Sequence, residues 1–271
     1  MSKQFHKLPE PASWLGSYLS AESCVYWARG EADRCVIFVH GYGGRAVTTW
    51  GDFPLLATTD PAFANADLLF LGYDSLLAAA YSTSVLLPAI DTFVSATSES
   101  KAIGRPPRGN DFRYKRILLV GHSLGGALVR DVAVTAAYGG KIWAEDVCLA
   151  LFAPAHKGAI ILKIAALAGG FARAAGTIAA LGVRKSPALE DLKPDSDYLK
   201  DLQRRSANLG KRSAAMAAFV AHAADDRVVF ANAFSEFDAA TSAYGKVGHR
   251  GCCKPVPVDF MRPVTDVGQL L

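Results

Sequence analysis

One serine of this sequence, Ser123, lies in a pattern suited to nucleophilic attack on a carbonyl carbon. It is the centre of Gly-His-Ser-Leu-Gly at residues 121–125, with a further glycine after it. The apolar run 117–120 precedes this pentapeptide, and a segment with helical character, 124–138, follows its serine. A nucleophile on such a strand–turn–helix sits on a sharp turn, where side chains two residues before and after would collide. The pattern predicts a nucleophile; a glycine-rich turn without catalysis is the alternative.

A second glycine-rich segment, His-Gly-Tyr-Gly-Gly at residues 40–44, directly follows the apolar run 35–39. A loop of this composition can bring a backbone N–H opposite the nucleophile. We therefore expect the amides of Tyr42 and Leu124 to form an oxyanion hole, which stabilises the negative charge of a tetrahedral intermediate. Leu124 opens the predicted helix, whose positive N-terminal end favours the same charge.

A serine hydroxyl needs a base to take its proton, and the sequence contains six histidines. His156, His222 and His249 follow Ser123, and with a nucleophile of this type the histidine comes last in the chain, after the acid. His222 ends an apolar run and is interpreted as a packed polar residue, whereas His156 is expected to line the cleft. His249 lies in a glycine-flanked loop near the C-terminus and is the predicted base.

The acid that orients the base should follow the fifth apolar run, where Asp225 and Asp226 are adjacent. Asp226 is the predicted acid, with the role of fixing the imidazole tautomer and stabilising the imidazolium. Asp225 remains the alternative, because composition does not separate two neighbouring carboxylates. Asp74 precedes the serine in the chain and is interpreted as structural or cleft-lining.

The elements that must position these residues alternate between strands and helices. Short apolar runs, typical of strands buried on both faces, occur at residues 35–39, 67–72, 117–120, 147–152 and 217–222. Helices are predicted at residues 50–57, 82–98, 124–138, 196–208 and 229–237. This alternation predicts one domain, 1–271, with a three-layer α/β fold: a mostly parallel sheet with helices on both faces.

An apolar segment rich in alanine and glycine, from 158 to about 193, interrupts this alternation. It predicts a helical cap over the cleft. A membrane span within it is disfavoured because Lys163 and Arg173 interrupt the apolar run. We expect the cap either to admit an acyl chain and contact a membrane surface transiently, or to be an ordinary buried insertion. An exposed loop with two prolines is predicted at 104–111.

The composition excludes several classes of protein. With 51% hydrophobic and 20% charged residues the chain can form a sizeable core, which excludes disorder for most of it. The net charge of +4 is spread along the chain, so nucleic-acid binding is not predicted. Five cysteines without metal-ligand spacing, and an N-terminus without the apolar stretch of a signal peptide, predict a reduced, cytoplasmic protein.

These motifs together resemble the α/β-hydrolase superfamily, and within it the lipase and GPI-inositol-deacylase-like esterases. The similar segments are residues 40–44, 72–75, 121–126, 153–158, 187–202 and 226–229, and then His249 with Lys254-Pro255. One segment departs from the pattern: where that branch usually reads Gly-Thr-Pro-His-x-Gly, residues 153–158 read Ala-Pro-Ala-His-Lys-Gly.

The resemblance implies an α/β-hydrolase fold and a Ser–His–Asp hydrolase that cleaves small-molecule or lipid carboxylic esters through an acyl-enzyme. It implies no metal and no organic cofactor. Two alternatives stay open: an acyltransferase or thioesterase that uses the same acyl-enzyme, and a non-catalytic binding protein on a hydrolase scaffold.

Overall fold

The structure is a computed structural model that describes residues 5–7, 23–28, 30–95, 112–172 and 186–271. The loop predicted at 104–111 and residues 173–185 of the predicted cap lie outside the described residues. An eight-stranded sheet passes through the described part. Its strands are β1 (Phe5–Lys7), β2 (Cys24–Ala28), β3 (Arg34–Val39), β4 (Ala66–Leu71), β5 (Arg116–His122), β6 (Val147–Phe152), β7 (Ala217–Ala223) and β8 (Thr241–Tyr244).

The strands lie side by side in the order β1-β2-β4-β3-β5-β6-β7-β8. The pairs that involve β1 and β2 are antiparallel, and all other neighbours are parallel. Five of the parallel strands, β3 to β7, correspond to the five apolar runs of the sequence. Their residues are largely buried because layers of helices cover the sheet.

The α-helices of the described residues are α1 (Phe53–Ala57), α2 (Ala79–Val94), α3 (Leu124–Tyr138), α4 (Ile161–Ala172), α5 (Pro187–Asp191), α6 (Asp197–Leu209) and α7 (Arg262–Gly268). Among them, α2 contacts α3 and α5, α6 also contacts α3 and α5, and α1 contacts α7. The predicted three-layer α/β architecture with a mostly parallel sheet is confirmed.

The helix predicted at residues 229–237 is wrong: the segment is irregular, and tertiary pairing holds its first two residues. Val229 forms an isolated antiparallel bridge with Ala159, and the amide of Phe230 donates to the carbonyl of Gly158 at 3.3 Å. Phe234 then packs into a small apolar cluster against α3. The apolar residues of 229–237 have helical spacing, but pairing of this segment with the start of the insertion prevents a helix.

The insertion leaves and rejoins the α/β core at one place. The amide of Ala159 donates to the carbonyl of Leu192 at 2.9 Å, which joins the entry of the insertion to its exit. Gly158 has a φ of 94°, and a Cβ there would lie 2.7 Å from the Cα of Pro194, so the entry turn admits only glycine. No helix among the described residues is both long and apolar enough to cross a membrane.

Candidate functional site

The predicted site residues meet at the carboxyl edge of the parallel strands. Ser123 follows β5, the loop 40–44 follows β3, Asp226 follows β7, and His249 lies in the loop after β8. Parallel strands all end at the same edge of a sheet, and in open α/β sheets ligands bind at that edge. The fold therefore brings residues more than 120 positions apart in the sequence into one cleft.

The turn that carries Ser123 has a strained backbone. Ser123 has φ 56° and ψ −121°, a region that non-glycine residues rarely adopt. Backbone hydrogen bonds to the adjacent strand hold it: its amide donates to the carbonyl of Phe152 at 3.0 Å, and its own carbonyl accepts from Ala155 at 3.0 Å. Helix α3 begins at the next residue. Ser123 lines a cleft together with His249 and Tyr42.

Glycines surround this turn because nothing larger fits. A Cβ on Gly121 would lie 2.5 Å from the carbonyl oxygen of Gly125, and one on Gly125 would lie 2.2 Å from that of Val39. A Cβ on Gly41 would lie 2.7 Å from the Cβ of Ser123. Neither Gly121 nor Gly125 has a positive φ, so close approach of backbones, not conformation, requires glycine at both positions.

We expect Gly125→Ala to lower the free energy of unfolding by about 3 kcal/mol or more, because a rigid carbonyl of β3 occupies the space of the new methyl group. Thermal unfolding followed by circular dichroism measures this. Gly30→Ala is the control, since nothing lies within 4 Å of a Cβ built there. Equal melting temperatures of the two variants would contradict the packing argument.

Ser123, His249 and Asp226 form a continuous chain of hydrogen bonds. The Oγ of Ser123 lies 3.1 Å from Nε2 of His249, and Nδ1 of His249 lies 2.9 Å from Oδ2 of Asp226. Because an ionised carboxylate only accepts, Nδ1 carries the proton and Nε2 is free to accept from the serine hydroxyl. This tautomer is the one that a general base for Ser123 requires.

The carboxylate of Asp226 is buried and ionised. Burial alone would raise its pKa, but hydrogen bonds from His249 and from the amides of Val228 and Val229 lower it below its ordinary value. Those two amides donate to Oδ1 at 2.9 and 3.3 Å, while Oδ2 faces the imidazole. Both oxygens are therefore fixed, which fixes the plane of the imidazole in turn.

The two other aspartates considered from the sequence lie apart from this chain of hydrogen bonds. Asp225 is exposed in the turn before Asp226. Asp74 is also exposed, and its Oδ1 accepts from the amide of Leu76 at 3.0 Å, which stabilises the turn after β4. The sequence predicted that Asp74 is either structural or cleft-lining, and its contact with Leu76 gives it a structural role.

His122 and Cys252 hold the loop of His249 in place, a role that was not predicted from the sequence. The Nε2 of His122 donates to the carbonyl oxygen of His249 at 2.9 Å, and the thiol of Cys252 donates to the same oxygen at 3.1 Å. The rings of His122 and His249 are 5.0 Å apart. The one feature of the sequence that could have indicated a role for His122 is its position next to Ser123, the predicted nucleophile.

The loop 40–44 is held against Ser123 by side chains from other elements. The amide of Gly43 donates to the hydroxyl of Ser75 at 2.9 Å, and the hydroxyl of Tyr73 donates to the carbonyl of His40 at 2.8 Å. The phenol of Tyr42 lies 2.7 Å from the hydroxyl of Ser186, at the end of the insertion. The amides of Tyr42 and Leu124 stay the predicted oxyanion donors; as the first residue of α3, Leu124 has an amide without an intrahelical acceptor.

The other two histidines considered as bases do not reach Ser123. His156 is buried with its ring 4.8 Å from that of Phe234, and it lines a separate cavity rather than the cleft of Ser123. The expectation that it lines this cleft is therefore wrong. Burial, and then the charge of Arg130, hold the pKa of His156 well below its ordinary value. His222 is buried within β7, as its interpretation as a packed residue predicts.

The cleft itself combines these residues with one side chain of the insertion. Tyr42, Ser123, His249 and Ile164 all line it, the last from α4. The described residues contain no group of three or more histidine, cysteine or acidic side chains that could hold a metal ion.

Two buried histidines near the site make stability depend on pH. Burial lowers the pKa of His40 to about 4 and that of His122 to about 3. In the unfolded chain both titrate near 6.5, so between about pH 4 and 6.5 the unfolded state binds more protons and acid favours unfolding. We expect the free energy of unfolding to fall by about 2 kcal/mol for each histidine between pH 7.5 and pH 5.0.

Urea denaturation at the two pH values measures this loss. His40→Gln should show a smaller difference between them, because one of the two groups no longer titrates. Identical unfolding free energies of the unmodified protein at pH 7.5 and 5.0 would contradict the prediction.

No protein-family model and no curated protein sequence matches the chain. Solved structures do match. The chain is similar to 2-hydroxy-6-oxo-6-phenylhexa-2,4-dienoate hydrolase from Rhodococcus sp. strain RHA1, with a TM-score of 0.56, 12% identity and 100% coverage of both chains. It is also similar to a peroxisomal α/β-hydrolase from Saccharomyces cerevisiae, with a TM-score of 0.56, 12% identity and coverage of 99% of this chain and 90% of the other.

A third similar structure is the mature lipase BlEst2 of Bacillus licheniformis, with a TM-score of 0.54, 17% identity and coverage of 85% of this chain and 89% of the lipase. The chain therefore has the α/β-hydrolase fold, as its motifs predicted. At these identities the similarity shows the fold alone, and the esterase branch that the sequence resembles stays a prediction.

Proposed function

We propose that the protein is a serine hydrolase that cleaves carboxylic esters. The observation that carries this proposal is the chain of hydrogen bonds from Ser123 through His249 to Asp226 at the bottom of a cleft. A strained serine, an imidazole placed between the serine hydroxyl and a carboxylate, and the burial of that carboxylate together are the requirements of nucleophilic acyl transfer.

In the proposed reaction, Nε2 of His249 takes the proton of Ser123 as Oγ attacks the ester carbonyl. The amides of Tyr42 and Leu124 stabilise the oxyanion, and His249 returns the proton to the leaving alcohol as the C–O bond breaks. Water then attacks the acyl-enzyme, gives its proton to His249 and releases the acid with Ser123 restored. No step requires a metal or an organic cofactor.

The partner in this proposal is a small-molecule or lipid ester. Ile164 of α4 lines the cleft, which supports a role of the insertion as a cap that contacts the acyl chain and transiently a membrane surface. All five cysteines are free thiols, which supports the proposal that the protein acts in the reducing cytoplasm.

Labelling with a fluorophosphonate probe, read by intact mass and peptide mapping, tests the proposed function. We expect one adduct on Ser123 in the folded protein, no adduct after denaturation, and none on the Ser123→Ala variant. Hydrolysis of a p-nitrophenyl ester series should follow. Absence of an adduct both with and without detergent, on a sample with native circular dichroism, would refute an activated serine.

Acceptor alcohols added to the same assay distinguish the hydrolase from an acyltransferase that uses the same acyl-enzyme. Free acid as the main product supports hydrolysis. Transfer of the acyl group to the alcohol as the main product, in water, would assign the transferase reaction instead.

A further inference from the structure

One part of the cleft around Ser123 is lined by cations. The side chains of Arg45, Arg250 and Lys254 line it, and no aspartate or glutamate is among the lining residues of the described part of the chain. A cleft lined by one sign of charge concentrates ligands of the opposite sign. The lining is therefore unlike that expected for a neutral ester alone.

These cations belong to two loops that contact each other beside the site. Arg45 directly follows the loop 40–44, and its amide donates to the hydroxyl of Thr49 at 2.9 Å. Arg250 and Lys254 follow His249 in the chain. The thiol of Cys253 lies 3.6 Å from the carbonyl oxygen of Thr49, so the two loops are packed together.

Among the three cations, the position of Lys254 gives the strongest support for an anionic ligand. It is half-buried, and no carboxylate in the described residues lies within ion-pair distance of it. Burial first, and nearby positive charges that include Lys254, lower the pKa of His122, which places the ammonium close to the site. Burial also lowers the pKa of Arg250. Partly desolvated cations gain most from an anion that enters the same space.

In the first part of the insertion, residues 158–186, all charged residues are positive. Between Gly158 and Ser186 the charged residues are Lys163, Arg173, Arg184 and Lys185, without any aspartate or glutamate. The sequence of this first part of the insertion therefore contains no carboxylate that would compete with an anionic ligand for Lys254.

The position of the cations relative to His249 indicates which part of a substrate they would meet. In ester cleavage the leaving oxygen must approach Nε2 of His249 to receive its proton. Arg250 and Lys254 line the same cleft from the loop that carries His249, which favours a position on the side of the leaving alcohol. The apolar Ile164 comes from a different element, α4, and suits the acyl chain.

We propose that the ester substrate carries an anionic group, a phosphate or a carboxylate, on its alcohol portion, and that Lys254 binds it together with Arg45 and Arg250. This inference rests on the proposed ester hydrolase function and names its substrate class. The binding energy is electrostatic and lies partly in a solvated cleft, so it weakens as salt screens the charges.

Three butyryl esters test the proposal: neutral 1-butyrylglycerol, 1-butyrylglycerol 3-phosphate and O-butyrylglycolate. At low ionic strength we expect kcat/KM of at least one anionic ester to exceed that of the neutral ester by about tenfold or more, since a hydrogen bond to a charged group is worth that factor. The advantage should shrink at about 0.5 M NaCl. A preference for the phosphate or for the carboxylate ester identifies which anion the site takes.

Lys254→Gln should reduce the ratio of kcat/KM for the preferred anionic ester to that for the neutral ester by about fivefold or more. Lys200→Gln is the matched control: it removes the same charge from an exposed position on α6, and the ratio should not change. An equal loss in both variants would overturn a local binding site in favour of net charge alone.

The outcomes separate this proposal from the proposed function. If Ser123 is labelled and all three esters are hydrolysed with equal kcat/KM, the anionic substrate class is overturned and the esterase stands. If none of the three is hydrolysed and Ser123 is not labelled, the proposed function fails, and the substrate class fails with it.

Discussion

Replacement of His249 by glutamine is expected to reduce kcat for ester hydrolysis by about 10⁴- to 10⁶-fold. The Nε2 of His249 is 3.1 Å from the hydroxyl of Ser123, and glutamine offers no group that can take a proton there. The remaining rate would come from substrate binding and the oxyanion donors alone. Steady-state kinetics on p-nitrophenyl butyrate measure the loss, with circular dichroism to verify that the variant is folded.

His156→Gln is the matched control, because His156 is also a buried histidine after Ser123 and was a rival candidate for the base. Its ring lies against Phe234 and lines another cavity, so the variant should keep kcat within a few-fold of the original. A folded His249→Gln variant with unimpaired turnover would remove His249 from the mechanism. Loss of turnover in His156→Gln alone would move the base to His156.

Replacement of Asp226 by asparagine is expected to reduce kcat by about 10⁴-fold while leaving the packing intact. The amide of asparagine can donate to Nδ1 of His249, which would move the ring proton to Nε2. In that tautomer Nε2 cannot accept from Ser123. The variant also loses the negative charge that stabilises the imidazolium formed during the reaction.

Asp225→Asn removes the same charge one position earlier, from an exposed turn. We expect it to keep kcat within a few-fold of the unmodified enzyme. The pH dependence of kcat provides a second readout: Asp226→Asn should regain some activity at alkaline pH, whereas Asp225→Asn should follow the original profile. A larger defect in Asp225→Asn would move the acid by one position.

The parallel core of the fold could be predicted because its strands are buried on both faces. Runs such as Cys35 to Val39 are apolar throughout, and the structure extends that run by one residue only, to Arg34. The outer strands of the sheet were harder to predict from the sequence. Strand β8, Thr-Ser-Ala-Tyr, has only one buried residue and therefore no apolar run. At the other side of the sheet, the antiparallel strands β1 and β2 were also missed.

The site could be anticipated where the chemistry itself limits the residue type. Residue 125 must be glycine because a Cβ there would lie 2.2 Å from the carbonyl oxygen of Val39 in β3. Crowding of this kind restricts the residue type, so it can be recognised in the sequence. The choice of Asp226 over Asp225 as the partner of His249 depended on backbone amides that composition does not reveal. The support from His122 and Cys252 depended on a loop path that only the folded chain defines.

The two ends of the insertion lie next to each other, and this affects how the insertion can be replaced in evolution or by design. Since Ala159 is hydrogen-bonded to Leu192, the insertion begins and ends at adjacent points of the fold, and the strands together with Ser123, His249 and Asp226 lie outside it. A segment whose two ends are adjacent can be replaced by a segment of another length without separating the rest of the fold. Recombination at this junction would exchange the whole insertion while Ser123, His249 and Asp226 are retained.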